Sequence, residues 1–463
     1  MKRSTLCTFL GVLVVVLLPA TVTAQTKRPN IVLIMVDDLG WSDLHCQGNK
    51  RLHTPNIDRL ASQGMRFTDA YAAAPVCSPT RAAVLTGLAP ARLRITNHIS
   101  NRVFTPEGAT LAEPEDTRKH LALEYITIAE VLKQAGYATG FIGKWHVAGT
   151  PRKNGQGDER FYPQKQGFDL NIGGCAAGGP PTYFDPYRIH NITNRRKGEY
   201  LPDRLADEAA KFIGDHKNEP FFLALWTYTV HWPMEAPKEL VEKYKKRVGY
   251  GLKDHRYGAM IEAMDVAIAR VLAALEKHQL DDNTIVIFTS DNGGYAGVAD
   301  NRPLRSGKGY LYEGGIRVPL IIRWPGVVEP KSICNTPVIS MDFFPTIVEA
   351  TKVKHNPKTP FDGETLVSVL SGKGKLKRTA LYWHYPNYAW HRQNQLGGVI
   401  REGDYKLTER YADGSLELYD LKRDLSETRN LAKAMPNKAN RLRQKLRRWL
   451  QETKAAMPRL RKE

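Results

Sequence analysis

Cysteine is scarce in this chain of 463 residues, with only five in all. Cys7 lies in the N-terminal stretch, and Cys46, Cys77, Cys175 and Cys334 are widely scattered with no zinc-type spacing. That excludes a disulfide framework, leaves room for a single bridge, and frees at least one cysteine for other chemistry. Long apolar runs are also missing. The longest, Phe9 to Leu18, is too short to span a bilayer. Lys2 and Arg3 precede it and Val22-Thr23-Ala24 follow it, which reads as a signal peptide over residues 1–24, cleaved before Gln25. No cysteine follows the run to carry a lipid anchor, so the expectation is an exported protein, secreted or periplasmic. Internal repeats are absent too, which excludes a solenoid or an array.

Acidic residues are the minority sign. There are 48 Asp and Glu against 67 Lys and Arg, a formal charge of +19 that falls to +17 without Lys2 and Arg3. This balance favours polyanionic partners such as sulfated glycans, nucleic acid or acidic membranes. Much of it sits between Arg441 and Arg448, which also reads as the solvated face of a terminal helix. No nucleic-acid motif accompanies the charge, and export argues against that partner.

Hydrophobic residues make up 42% of the chain, enough for one large core and a smaller appended unit. Through about residue 350, apolar strand-like runs alternate with helical patterns. Asn30 to Val36 reads as a strand buried on both faces, and Ala138–Ile142, Phe221–Tyr228 and Thr284–Thr289 follow as further strands. Thr54-Pro55 predicts a helix start by side-chain capping and fixed φ, and Thr127 with Glu130 forms a capping box. Met260, Ile261, Met264, Ile268, Val271, Leu272 and Leu275 mark one stripe of a long helix. The expected fold class is α/β, a large, mostly parallel sheet sandwiched by helices. The stretch 352–377, rich in Pro, Gly and Lys, predicts a boundary near 355. Beyond it, short strands at 399–401, 405–410 and 416–421 and a helix carrying Leu442, Leu446, Trp449 and Leu450 predict a small antiparallel α+β subdomain over 356–463.

In an open parallel sheet, ligands bind beyond the carboxyl ends of the strands. Asp37-Asp38 follow the first strand, Lys144 and His146 the second, His231 the third and Asp291-Asn292 the fourth. Any one of these has a structural explanation as a cap or turn residue. Together they deliver oxygen ligands, two histidines and a lysine to one edge. Asp37, Asp38, Asp291 and Asn292 offer only oxygen, which suits a hard cation such as calcium or magnesium. Without a cation, three clustered carboxylates would repel one another.

Cys77-Ser-Pro-Thr-Arg81 is followed by Ala82-Ala-Val-Leu-Thr-Gly87. Pro79 suits a first helical turn, which sets residue 77 at the positive end of a helix, a place for a nucleophile and an anionic substrate. With Ile34-Met-Val-Asp-Asp38, Gly143-Lys-Trp-His146, His231, Ser290-Asp-Asn-Gly293 and Lys308, this segment resembles the formylglycine-dependent type I sulfatases, arylsulfatase-like members of the alkaline phosphatase superfamily. The likeness runs over nearly the whole mature chain.

The resemblance implies that a maturation enzyme oxidises Cys77 to formylglycine, whose hydrate is the nucleophile. It implies one calcium ion held by Asp37, Asp38, Asp291, Asn292 and residue 77. Arg81 and the metal would keep the diol deprotonated, Lys144 and Lys308 would bind sulfate oxygens, and His231 would protonate the departing alcohol. His146 would then take a proton from the second hydroxyl, so that sulfate leaves and the aldehyde returns. Arg305 beside Lys308 makes that lysine the least distinctive of the set. Gly167-Phe-Asp169, the pairs Gly173-Gly174 and Gly178-Gly179, Tyr183-Phe-Asp-Pro-Tyr187, Tyr382-Trp-His-Tyr-Pro386 and Gly403-Asp-Tyr-Lys406 resemble sulfatases acting on carbohydrate sulfates, and His98, Arg102, Trp232, His384 and His391 are candidates for a sugar-binding rim. Two alternatives stay open: a formylglycine-dependent phosphate or phosphonate ester hydrolase, and a non-catalytic polyanion-binding relative.

Overall fold

The computed structural model describes residues 28–461 except 103 and 392–394. The expected signal peptide, with Cys7, lies outside the described residues. Among the described residues no helix is long and apolar enough to cross a membrane. Cys46, Cys77, Cys175 and Cys334 are all free thiols, so the single bridge that the sequence left open does not form among them.

Eight strands form the main sheet: β1 Asn30–Val36, β2 Met65–Phe67, β3 Ala138–Gly143, β4 Leu170–Ile172, β5 Phe221–Trp226, β6 Thr284–Ser290, β7 Leu320–Arg323 and β8 Ser332–Cys334. Their order is β8-β2-β7-β6-β1-β5-β3-β4. All neighbours pair in parallel except at β7, which runs against both β6 and β2. β1 lies at the centre, and each of its seven residues is buried. An unbroken apolar run there needs cover on both faces. Helices α1 Pro55–Ser62, α4 Leu201–Asp215 and α5 His255–Lys277 pack as one group, and α2 Cys77–Thr86, α3 Ile128–Gln134 and α6 Phe343–Thr351 as another. The stripe read from the sequence, Met260 to Leu275, is the buried side of α5.

The capping box at Thr127 and Glu130 closes both ways, with Glu130 N on Thr127 Oγ1 at 3.2 Å and Thr127 N on Glu130 Oε2 at 2.8 Å. Thr54 behaves differently from the expectation. Its hydroxyl accepts from His45 N and donates to Asp58 Oδ1, so it ties the incoming turn to α1 and leaves the start to Pro55.

A second sheet holds four antiparallel strands, β9 Ala380–Tyr385, β10 Gly397–Glu402, β11 Tyr405–Arg410 and β12 Leu416–Asp420, covered by α7 Pro436–Glu452. Ile400, Leu407 and Leu418 meet Leu442, Leu446 and Leu450 in its core. A buried ionic cluster fixes this sheet to the body. Lys406 Nζ lies 3.0 Å from Glu313 and 2.9 Å from Glu427, and Arg401 reaches Asp69 at 2.6 Å. Removing one member would leave uncompensated buried charge, so the cluster fixes how the small sheet docks.

Candidate active site

Four adjacent strand ends build the site. β1 runs directly into Asp37-Asp38 and β6 into Asp291-Asn292, β5 leads to His231, and β3 leads to Lys144 and His146. The switch from strand to loop is abrupt: Asp38 and His146 both sit in the left-handed region, at φ 63° and 59°. Such backbone is costly for a non-glycine residue and persists where its surroundings hold it. Between β3 and Lys144, Gly143 takes φ 111°, and a Cβ there would lie 2.0 Å from the carbonyl oxygen of Trp226.

Cys77 opens α2, whose ten residues are all buried. Burial pushes the thiol pKa up despite Lys144 and Lys308. The Cys77 side chain is therefore a neutral thiol rather than an activated thiolate, contrary to what a helix N-terminus alone suggests.

Beneath residue 77 lies a dense layer of charge. Arg81 donates to Asp291 Oδ2 through Nε (2.9 Å) and a terminal nitrogen (2.7 Å), and to the carbonyl of Lys144. Lys144 Nζ donates to Asp37 at 2.7 Å, and Lys308 Nζ sits 2.7 Å from Asp38. Burial raises the Asp37 carboxyl well above its usual range, more than Lys144 lowers it. Burial acts the same way on Asp38, but Lys308 and His231 hold it well below. Lys308 would be lowered by burial, and Asp38 overrides that and holds it protonated. Arg305, its possible substitute, points elsewhere, to Tyr419 and to the carbonyl of Glu427.

Asp37, Cys77 and Asp291 each offer a ligand atom, all within 4.8 Å of one another. Among the described residues, the buried Asp37 Oδ1 and Asn292 Oδ1 have no hydrogen-bond partner. The Asn292 amide is turned by its Nδ2, which donates to Asp38 Oδ1 at 2.8 Å. Asp37 Oδ1 lies 3.8 Å from Arg81, beyond hydrogen-bonding reach, and oxygens left open beside three carboxylates suit a hard divalent cation.

The two histidines take opposite poses. His146 Nε2 lies 2.8 Å from the carbonyl of Ile99, which can only accept, so the proton is on Nε2 and the buried Nδ1 keeps a free lone pair. Ser78 locks this arrangement by donating to the His146 carbonyl (2.9 Å) and accepting from Ile99 N (3.0 Å). His231 Nδ1 lies 2.8 Å from the carbonyl of Trp232, which leaves Nε2 facing Asp38 at 3.8 Å. Burial and Lys308 bring its pKa down to about 3. Gly178 and Gly179 press on both rings. A Cβ on Gly178 would lie 2.8 Å from His146 Nε2, and one on Gly179 would lie 2.6 Å from His231 Nδ1.

Above this floor is a cavity of about 570 Å3. Asp38, Cys77, His146, His231 and Lys308 open into it, while Asp37, Arg81, Lys144, Asp291 and Asn292 lie below, out of its lining. Arg81 thus supports Asp291 rather than facing the cavity. The walls carry His98, Arg102 and Trp232 from the expected rim, together with Phe104, Tyr295 and Trp390. His384 is no part of it: its ring is buried between the Tyr411 hydroxyl (2.7 Å) and the carbonyl of Ala456 (3.0 Å). His391 stacks on Tyr310 outside the lining, and its neighbour Trp390 takes the wall position. Phe104 and Trp390 carry no local motif, and only the folded chain joins them.

Comparison with known proteins agrees with this geometry. The family model for sulfatases matches residues 29–353, and the model for the C-terminal part of N-sulphoglucosamine sulphohydrolase matches residues 306–456. A sulfatase of Formosa agariphila is 34% identical, covering 97% of this chain and 94% of the relative. Human arylsulfatase A is 34% identical over 83% of this chain and 75% of its own length. Among solved structures, Ps i-CgsB superposes with a TM-score of 0.78 at 28% identity, covering 92% of this chain and 93% of that one. It has also been solved with k-i-k-neocarrahexaose, and that complex superposes with a TM-score of 0.77 at 28% identity, with 92% and 93% covered. The chain has the alkaline phosphatase-like fold, belongs to the sulfatase family, and is a sulfuric ester hydrolase.

Proposed function

We propose that this chain hydrolyses a carbohydrate sulfate by means of a formylglycine hydrate at position 77 and one calcium ion. The observation that carries the reading is the pair of orphaned buried oxygens, Asp37 Oδ1 and Asn292 Oδ1, set beside residue 77 at the head of α2. Asp37, Asp38, Asp291 and Asn292 would hold the calcium. Bound there, the ion and the formylglycine supply a polarised sulfate and an oxygen nucleophile.

The chain's own residues do the rest. Lys144 and Lys308, now on Asp37 and Asp38, turn to the sulfate oxygens once a cation satisfies those carboxylates. His231 directs Nε2 at the leaving oxygen and gives it a proton. The negative charge of a bound ester favours that proton, against the burial and Lys308 that disfavour it. His146 takes a proton at Nδ1 from the second hydroxyl of residue 77, with Nε2 held by Ile99, and so lets sulfate depart. Arg81 keeps Asp291 in place.

The carbohydrate part rests on the walls. Trp232 is 55% exposed and lines the same cavity as residue 77, a face suited to the apolar side of a sugar ring. Arg102 is exposed and makes no ion pair among the described residues, which suits a further negative charge on the substrate. The exported, secreted or periplasmic, location and the maturation enzyme belong to the same reading.

A panel of sulfated mono- and disaccharides with matching phosphate and phosphonate esters tests it. Calcium-dependent sulfate release, lost on chelation, is the expected result, and Arg102→Ala should raise KM severalfold for substrates with a second anionic group. Turnover of the phosphorus esters alone would establish the rival hydrolase instead.

A further inference from the structure

The wall residue with the most closely defined chemistry is His98. Asn97 Nδ2 donates to the carbonyl of Tyr388 at 3.2 Å, which fixes the amide with Oδ1 turned the other way. That oxygen accepts from the Tyr385 hydroxyl (3.0 Å), from His98 N (2.9 Å) and from His98 Nδ1 (3.1 Å). An amide oxygen can only accept, so the His98 proton sits on Nδ1 and Nε2 carries a lone pair. Nε2 makes no hydrogen bond to the described residues, and His98 lines the cavity.

The ring is held rigidly. It meets Trp390 edge-on with centroids 5.5 Å apart and lies 5.1 Å from Phe104. Its chain neighbour Ile99 is tied to Ser78 and to His146. The nucleophile's helix, the proposed base and His98 therefore share one hydrogen-bonded unit. Burial, reinforced by Lys308 and Lys144, brings the His98 pKa down to about 3. At neutral pH the ring is uncharged and offers no donor to a second sulfate. A rigid acceptor surrounded by aromatic rings selects a hydroxyl donor.

We infer that His98 determines specificity on the leaving-group side: Nε2 accepts a hydrogen bond from a free hydroxyl of the sugar ring, so the substrate class is a carbohydrate sulfate left unsubstituted at the position facing His98. This rests on the carbohydrate-sulfate reading above. A second anionic group, if the sugar has one, belongs toward Arg102 and away from His98.

The test takes the best-cleaved sulfated monosaccharide and its deoxy and O-methyl analogues at each remaining hydroxyl, assayed with matured enzyme and variants. One deoxy analogue should lose roughly 10- to 100-fold in kcat/KM on the wild type. His98→Ala should lose a similar factor on the parent sugar, and the two losses should not add when combined. His98→Gln, whose amide oxygen can stand near Nε2, should keep part of the discrimination, which separates a lost acceptor from a misfolded chain. Equal losses from His98→Ala on every analogue, or full additivity, would overturn the assignment. Failure of the wild type to release sulfate from any sugar would overturn the carbohydrate reading beneath it.

Discussion

Two glycines set where the imidazoles stand. Gly178 and Gly179 lie against His146 and His231, and neither site has room for a methyl group. Misplacing a reacting group by about 1 Å can cost about a hundredfold in rate. Gly178→Ala should therefore lower kcat roughly 10- to 100-fold by displacing the proposed base, His146, and Gly179→Ala by a similar factor by displacing the proposed acid, His231. The pH profiles should tell them apart, with Gly178→Ala moving the limb set by the base and Gly179→Ala the limb set by the acid. Unchanged profiles in both variants would mean that the glycines only fill space. The Gly-Gly pair is visible in the sequence, but nothing local shows which rings it meets. The strand-end residues were legible because charged and amide groups directly after apolar runs mark one sheet edge. His384 was not: a histidine beside aromatics reads alike at a rim or in a core, and only Tyr411 and Ala456 decide between them.

Among the elements, the segment leaving β1 carries Asp37 and Asp38, the two carboxylates proposed to hold the cation, and a third, Asp43. Asp43 accepts from Gly40 N at 2.8 Å and from the Tyr257 hydroxyl at 2.6 Å, and burial still pushes it up from 3.8 to about 6. The fold therefore holds a proton there that the unfolded chain has released. Its contribution to stability is fully present below pH 3.8 and is lost as pH rises through about 6. At full effect this is roughly 3 kcal/mol. Glu427, pushed up to about 7 by burial that outweighs Lys406, acts in the same direction. His98 and His231, kept neutral by burial with pKa values of about 3, act in the opposite direction below 6.5, so the test is a difference between proteins: the melting temperature of Asp43→Asn relative to wild type should rise between pH 4 and pH 7. A difference that stays constant over that range would place the effect elsewhere. At this scale the alternation of strands and helices was readable from buried runs and stripes. The reversal at β7 was not, since a short buried run of three apolar residues and an arginine looks alike in either direction.

For the whole molecule, charge is less one-sided than the composition suggests. On α7, Arg441 and Lys445 pair with Glu402, and Arg443 and Arg447 with Glu409, so much of the basic run is spent in holding the helix to the small sheet. Excess positive charge matters instead in the cavity, where Lys308 and Arg102 open and Asp38 is the lone carboxylate of the lining. That concentration suits a sulfated ligand better than a basic tail does. Arg102, Trp232 and Lys308 were each singled out in the sequence, but their meeting with Trp390 in one cavity was not legible, because the four come from distant segments.

The central claim is that residue 77 becomes the nucleophile. The most direct measurement is mass spectrometry of the Cys77 peptide from protein matured in an active host, with sulfate release followed on the same sample. The account predicts that the thiol mass is replaced by that of the aldehyde, that sulfate release scales with the converted fraction, and that Cys77→Ala abolishes it while the fold remains intact. Sulfate release undiminished in protein that retains an unmodified thiol at position 77 would contradict it.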